Sequence, residues 1–202
     1  MPKGNLIIIS GPSGSGKDTV LKMLFEKTKN VYFSISSVTR EMREGEVEGE
    51  KYNFISVDDF KNMIENKDLL EYNEYCGNFY GTPKKPVIEN IENGVDVILE
   101  IDVNGASNVK KNMPDAVSIF IVPPSFVELK RRLEGRGTEK AEVIAKRLKT
   151  AVSEIKRAKE YDYIVVNDSL EKAVDDILSI IKSEKFKYTN QKEIINEVLE
   201  LC

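Results

Sequence analysis

Leu6-Ile7-Ile8-Ile9-Ser10-Gly11-Pro12-Ser13-Gly14-Ser15-Gly16-Lys17-Asp18-Thr19-Val20-Leu21 is the stretch that decides the fold. Its first four residues form an apolar, mostly β-branched run that reads as a buried parallel strand. From Asp18 to Lys29 the apolar residues Val20, Leu21, Leu24 and Phe25 share one helical face. Between strand and helix, Gly11–Lys17 satisfies the pattern G-x-x-x-x-G-K in the context that pattern requires. The glycines let backbone N–H groups turn inward around phosphate oxygens. The helix N-terminus adds its positive dipole end, and Lys17 adds a full charge. The segment Gly11, Pro12, Ser13, Gly14, Ser15, Gly16, Lys17, Asp18 and Thr19 is thus the candidate nucleoside triphosphate site. One position departs from the pattern. Ser or Thr ordinarily follows the lysine and holds Mg²⁺ through its hydroxyl, whereas here Asp18 stands there, with Thr19 next. Two readings stay open: a carboxylate that ligates Mg²⁺, or a first-turn residue that suits the helix dipole.

Further along the chain, short apolar runs alternate with helical patterns. Strands are predicted over Tyr32–Ser37, Tyr52–Val57, Leu69–Tyr75, Val95–Ile101, Ala116–Val122 and Tyr163–Val166. Phe79–Thr82 reads as a strand end or turn, and polar Thr39–Lys51 as a loop. Helices are predicted from Val57 with an Asp cap, and over Pro83–Glu92, Ala106–Asn112, Glu139–Tyr161 and Leu170–Ile181. Another is capped by Ser125 and runs to Glu134. The alternation predicts an α/β fold, a parallel sheet flanked by helices on both faces. The stretch 35–85 breaks that rhythm with closely spaced strands, which predicts an inserted antiparallel subdomain. Ser183–Cys202 is an extra amphipathic segment.

Composition excludes several chemistries. The 202 residues are 41% apolar and 32% charged, an ordinary globular balance. The net charge of −4 argues against a general nucleic-acid binder, which needs a basic footprint. With 0 histidines there is no His base, no Ser-His-Asp triad and no His-ligated metal. Cys76 and Cys202 are read as passive thiols in a reduced, cytoplasmic protein. The N-terminal apolar run is too short for a signal peptide, and no stretch is long enough to span a membrane.

A second constellation names the acceptor. It comprises Ser36-Ser37-Val38-Thr39-Arg40-Glu41-Met42-Arg43, Gly45-Glu46-Val47-Glu48-Gly49, Tyr52-Asn53-Phe54 and Glu71. Gly77-Asn78-Phe79-Tyr80-Gly81-Thr82, Leu99-Glu100-Ile101-Asp102-Val103-Asn104-Gly105 and Arg131-Arg132-Leu133-Glu134-Gly135-Arg136-Gly137-Thr138 complete it. Together, in order and spacing from Leu6 to Ile181, these motifs closely resemble guanylate kinase. The resemblance implies the reaction ATP + GMP to ADP + GDP, with dGMP as a further acceptor and Mg²⁺ accompanying ATP. It also implies a P-loop NTPase-type core over about 1–34, 84–125 and 160–182. A GMP-binding subdomain would occupy about 35–83, a helical lid about 126–159, and a helical extension 183–202. Non-catalytic relatives that bind phosphopeptides at the GMP site typically lose P-loop and lid residues, but Gly16, Lys17 and the lid arginines stand here. A related P-loop kinase with another acceptor is the other alternative, and Asp18 keeps it open.

Site residues follow from the resemblance and from their chemistry. Arg40 and Arg43 suit a monophosphate clamp of charge-assisted bonds, with Tyr52 and Tyr80 adding hydroxyl donors. A carboxylate at Glu71 accepts guanine N1–H and the exocyclic amine together; adenine offers neither donor there. Losing such a polar pairing can discriminate by roughly 10⁴–10⁵-fold. Ser36 and Thr82 match positions that bond the guanine O6 edge, and Asp102 one near the amine. Glu100 is assigned to the metal side, through water, and Asp102 to the GMP side; the two are interchangeable at this level. Arg132, Arg136 and Arg147 match lid and helix arginines that, with Lys17 and Arg43, neutralise charge on the transferred group. Arg131 reads instead as a solvated helix residue. Asn167 matches a loop near adenine, with Asp168 read equally as a helix cap. The acceptor is already an ionised phosphate, so no general base is needed, which suits a chain without histidine. Monomer and homodimer both stay open.

Overall fold

The structure, a computed structural model, describes residues 3–75, 77–135 and 141–200. In chain order it begins with β1 (Leu6–Ser10), α1 (Lys17–Lys27), β2 (Val31–Phe33), β3 (Ser36–Val38), β4 (Tyr52–Phe54) and α2 (Val57–Glu65). It continues with β5 (Leu69–Tyr75), β6 (Asn78–Pro83), α3 (Lys84–Glu92), β7 (Asp96–Glu100), α4 (Val103–Asn112) and β8 (Val117–Val122). It closes with α5 (Phe126–Glu134), α6 (Ala141–Ile155), a 3-10 turn at Ala158–Glu160, β9 (Tyr163–Val166), α7 (Leu170–Glu184) and α8 (Tyr188–Glu200). Two compact units emerge. One is Lys3–Ile8 with Asn30–Ala116; the other is Ile9–Lys29 with the chain from Val117 onward.

The larger sheet runs in the order β2-β7-β1-β8-β9. β2 pairs with β7 in parallel, from Val31↔Asp96 to Phe33↔Ile98. β8 pairs with β9 in parallel, from Ile119↔Tyr163 to Val122↔Val166. Every residue of β1 is buried, with Ile7, Ile8 and Ile9 at 0% exposure. That is the price of the central position and the reason its sequence is continuously apolar rather than alternating.

In the first unit the expected single strand Tyr32–Ser37 is two strands. The Ser34 N–H still donates to Ile98 O at 3.0 Å, and from Ser36 the chain leaves for a second sheet, β4-β3-β6-β5. That sheet is antiparallel along β3–β6–β5, as expected of the insertion, but β3 and β4 are parallel, Ser36 facing Tyr52. Parallel neighbours need a long crossover, and the polar loop 39–51 supplies it. Phe79–Thr82, expected as a strand end, lies inside β6, paired along its length with β5. α2 covers this sheet through Phe60, which is fully buried and stacks on Phe79 at 5.4 Å. Its cap is Ser56, which accepts from the Asp59 N–H at 3.0 Å, and not an aspartate. α4 begins at Val103, earlier than Ala106, because Asp102 caps it.

In the second unit α5 and α6 bury Leu129, Leu133 and Ala151 against Ile144, Leu148 and Ile155. The long helix expected over Glu139–Tyr161 ends at Ile155, and Glu139 lies outside the described residues. α7 runs on to Glu184, which is buried, accepts from the Tyr163 hydroxyl and pairs with Lys187 at 2.7 Å. α8 buries none of its residues. Among the described residues no helix is long and apolar enough to cross a membrane.

Candidate active site

The glycine loop is shaped by two left-handed residues, Gly14 at φ 89° and Gly16 at φ 85°, where a side chain would be strained. A Cβ on Gly16 would lie 2.4 Å from Asn167 Nδ2, and one on Gly11 2.5 Å from Ile121 O. The loop is thus packed against backbone and side chains that leave only glycine room. The Ser15 N–H donates to Pro12 O at 3.0 Å, and Ser15 O accepts from Asn167 Nδ2 at 2.8 Å and Arg132 Nη1 at 3.2 Å. Arg132 also donates to Asn167 O at 3.0 Å and to Glu128 at 2.7 Å. Arg147 donates to the Ser13 hydroxyl. Lys17 is the first residue of α1, with Asp18 and Thr19 exposed in its first turn.

Three of the expected residues, Arg132, Arg147 and Asn167, therefore converge on one loop. The structure adds that Arg132 and Asn167 tether the loop's backbone. Glu128, absent from the sequence expectation, orients Arg132; its only sequence signal is its i, i+4 spacing on the helix. Arg131 is largely exposed and pairs with Glu128, the solvated role expected of it. Arg136 lies outside the described residues.

In the first unit Glu71, on β5, is 7% exposed and Thr82, on β6, is fully buried. The register sets them opposite each other, and Thr82 Oγ1 donates to Glu71 Oε1 at 2.8 Å. A Cβ on Gly105 would stand 3.0 Å from Glu71 Oε2, so a side chain there would press on the carboxylate. Burial pushes the Glu71 carboxyl up to about 7, partly offset by the Thr82 hydrogen bond and reinforced by the charge of Asp102. Asp102 Oδ1 accepts from the Asn104 and Gly105 N–H groups at 2.9 and 2.8 Å, and Oδ2 from Asn73 Nδ2 at 3.3 Å. It is a helix cap as well as a neighbour of Glu71. Glu100 pairs with Lys51 at 2.7 Å.

A second cluster surrounds Arg40. Its guanidinium lies 5.0 Å from the Tyr52 ring centroid and 5.2 Å from that of Phe54. Glu46 takes Nη1 and Nη2 together, each at 2.6 Å. Ser36 and Tyr52 face each other across β3 and β4, and Val38 faces Tyr80 across β3 and β6. Burial raises the Tyr52 hydroxyl above its ordinary value. Arg43 contributes its backbone N–H to Glu46 at 2.8 Å.

The family model described as guanylate kinase matches residues 3–184. This chain belongs to the guanylate kinase family. A guanylate kinase of Clostridium acetobutylicum is 51% identical over 193 residues, covering 96% of this chain and 92% of that protein. One of Carboxydothermus hydrogenoformans is 48% identical over 187 residues, covering 93% and 92%. The crystal structure of guanylate kinase from Anaplasma phagocytophilum superposes with a TM-score of 0.79 at 36% identity, covering 94% of this chain and 90% of that one. Family membership accounts for the α/β architecture and the glycine loop together.

Proposed function

We propose that this chain transfers the terminal phosphoryl group of ATP to GMP, giving ADP and GDP, and that it accepts dGMP as well. The observation that carries the acceptor assignment is the buried Glu71 carboxylate with Thr82 on one oxygen and the bare Gly105 backbone beside the other. Guanine presents two adjacent donors to such a group, and adenine would leave it desolvated with Thr82 as its remaining donor. Asp102 lies on the amine side, with Ser36 and Thr82 toward the O6 edge. Arg40, Arg43, Tyr52 and Tyr80 hold the acceptor phosphate.

On the donor side the loop N–H groups and Lys17 hold the ATP phosphates. Arg132, Arg136 and Arg147 neutralise charge that spreads over the transferred group. The acceptor phosphate is the nucleophile in its ionised form, so the residues position and neutralise rather than move protons. Asn167 flanks the adenine.

Mg²⁺ fits this donor set only as a companion of the nucleotide. Among the described residues no three His, Cys, Asp or Glu side chains cluster to hold a metal alone. Mg²⁺ usually takes one or two carboxylates plus substrate phosphates. Asp18 would supply the carboxylate and Glu100 a water-mediated contact; when bound, the ion withdraws charge from the phosphates. The proposed setting is the cytoplasm. A coupled ADP-release assay against GMP, dGMP, AMP, CMP and UMP tests the reading. Turnover stimulated by GMP and dGMP is the expected result. Preference for another acceptor, or no stimulation, overturns it.

A further inference from the structure

Arg40 is held on three sides. Tyr52 and Phe54 face its guanidinium, with centroids at 5.0 and 5.2 Å. Glu46 closes the end of the fork, Oε2 on Nη1 and Oε1 on Nη2, both at 2.6 Å, and Nη1 also donates to Glu41 O at 2.9 Å. A planar guanidinium offers two forked edges, and a carboxylate on one leaves the other intact. Among the described residues the Nε–Nη2 edge has no acceptor besides Glu46 on Nη2. The Arg40 side chain is only 10% exposed, so its orientation is decided by these contacts and not by solvent. The same Glu46 oxygen that takes Nη1 accepts the Arg43 N–H at 2.8 Å. One carboxylate therefore ties together both arginines of the clamp, one by its side chain and one by its backbone.

We propose that Glu46 is a positioning residue for the acceptor phosphate. It locks the end of Arg40 and the Arg43 backbone so that the Nε–Nη2 edge of Arg40 is presented, already oriented, to the incoming phosphate. The inference rests on the GMP reading above. Preorganisation of this kind acts on ligand affinity, because the entropy of ordering a long side chain is lost before the ligand arrives. Arg40 holds the Glu46 carboxyl down at about 2, so the pair stays ionised across any ordinary assay pH. The opposite reading is also physical. An anion beside the clamp repels a phosphate dianion, and a pure competitor would weaken acceptor binding. The two readings differ in sign.

Glu46→Gln and Glu46→Ala should each raise the KM for GMP by roughly ten-fold, leaving the KM for ATP within error. Glu46→Asp, too short to span both nitrogens, should fall between. In an Arg40→Ala background Glu46→Gln should add little, since partners acting through one group are non-additive. Affinity for inorganic phosphate, measured at constant ionic strength, should fall in parallel. A lower or unchanged KM for GMP in both variants, or full additivity with Arg40→Ala, overturns the proposal. If the wild type turns over no GMP, the functional reading fails by itself, and the phosphate measurement still decides Glu46: weaker binding in the variants supports positioning, and tighter or equal binding rejects it.

Discussion

Glu71 meets two opposed demands. Burial favours its protonated form, while the proposed recognition of two guanine donors would need the ionised one. With a carboxyl raised to about 7, GMP affinity should drop as pH falls below 7, by up to about ten-fold per unit. Calorimetric titration of GMP at pH 6, 7 and 8 checks this. Glu71→Gln, which keeps the titration of the GMP phosphate itself, supplies the control and should bind weakly with a flatter profile. Equal pH profiles for the two proteins would contradict the assignment. The sign reverses for stability. The folded value lies above the unfolded one, so the contribution of Glu71 is fully present below about 4.5 and is lost as pH rises through about 7. At the glycine loop, Asp18 places a negative charge where a hydroxyl is usual. ATP binding should therefore depend strongly on Mg²⁺, and Asp18→Ser should narrow the difference between titrations with Mg²⁺ and with EDTA. Equal metal dependence in both proteins would dismiss a metal role for Asp18.

At the scale of elements, Asp102 serves β5 and α4 at once. Its Oδ1 caps α4 and its Oδ2 meets Asn73. Asp102→Asn keeps a capping oxygen and should cost at most a few tenths of a kcal/mol, whereas Asp102→Ala should cost about 1 kcal/mol. If Asp102 also faces the guanine amine, both should raise the KM for GMP. Denaturant melts of the two variants beside their kinetics separate cap from recognition. A normal KM in Asp102→Asn would leave only the cap. The strands carry a related lesson. Tyr32–Ser37 reads as one β segment because its residues suit a pleated surface throughout. Its division into β2 and β3 depends on which neighbour each half finds, Ile98 or Tyr52 and Gly81. Period and propensity are local and do not encode that choice.

At the scale of the molecule, the C-terminal boundary is decided by one buried carboxylate. Glu184 accepts from the Tyr163 hydroxyl and pairs with Lys187, while α8 buries nothing. Truncation after Lys187 should leave the melting temperature nearly unchanged. Truncation after Lys182 removes Ser183 and Glu184, the last residues of α7, and should destabilise by about 1–3 kcal/mol. Thermal melts of the two shortened chains check the contrast; equal melting temperatures would mean that Glu184 contributes nothing net.

Much was determined by the sequence alone. Gly11–Lys17 between an apolar strand and a helix carries the pattern of a phosphate loop, because the backbone conformation and charge that pattern needs come from consecutive residues. The parallel α/β pattern was equally legible, as a local alternation of residue types, whereas the motif set around Arg40, Glu71 and Arg132 was legible through its combined resemblance, in order and spacing, to guanylate kinase. Tertiary structure decided what those residues touch. Burial of Glu71 beneath Thr82 and beside Gly105 shifts its proton affinity. The tether from Arg132 and Asn167 to Ser15 O spans more than a hundred positions of chain. The grip of Glu46 on Arg40 lay within a loop that reads only as polar and charged. Ionisation and hydrogen bonding depend on solvent exclusion and distance, and only the folded chain sets either.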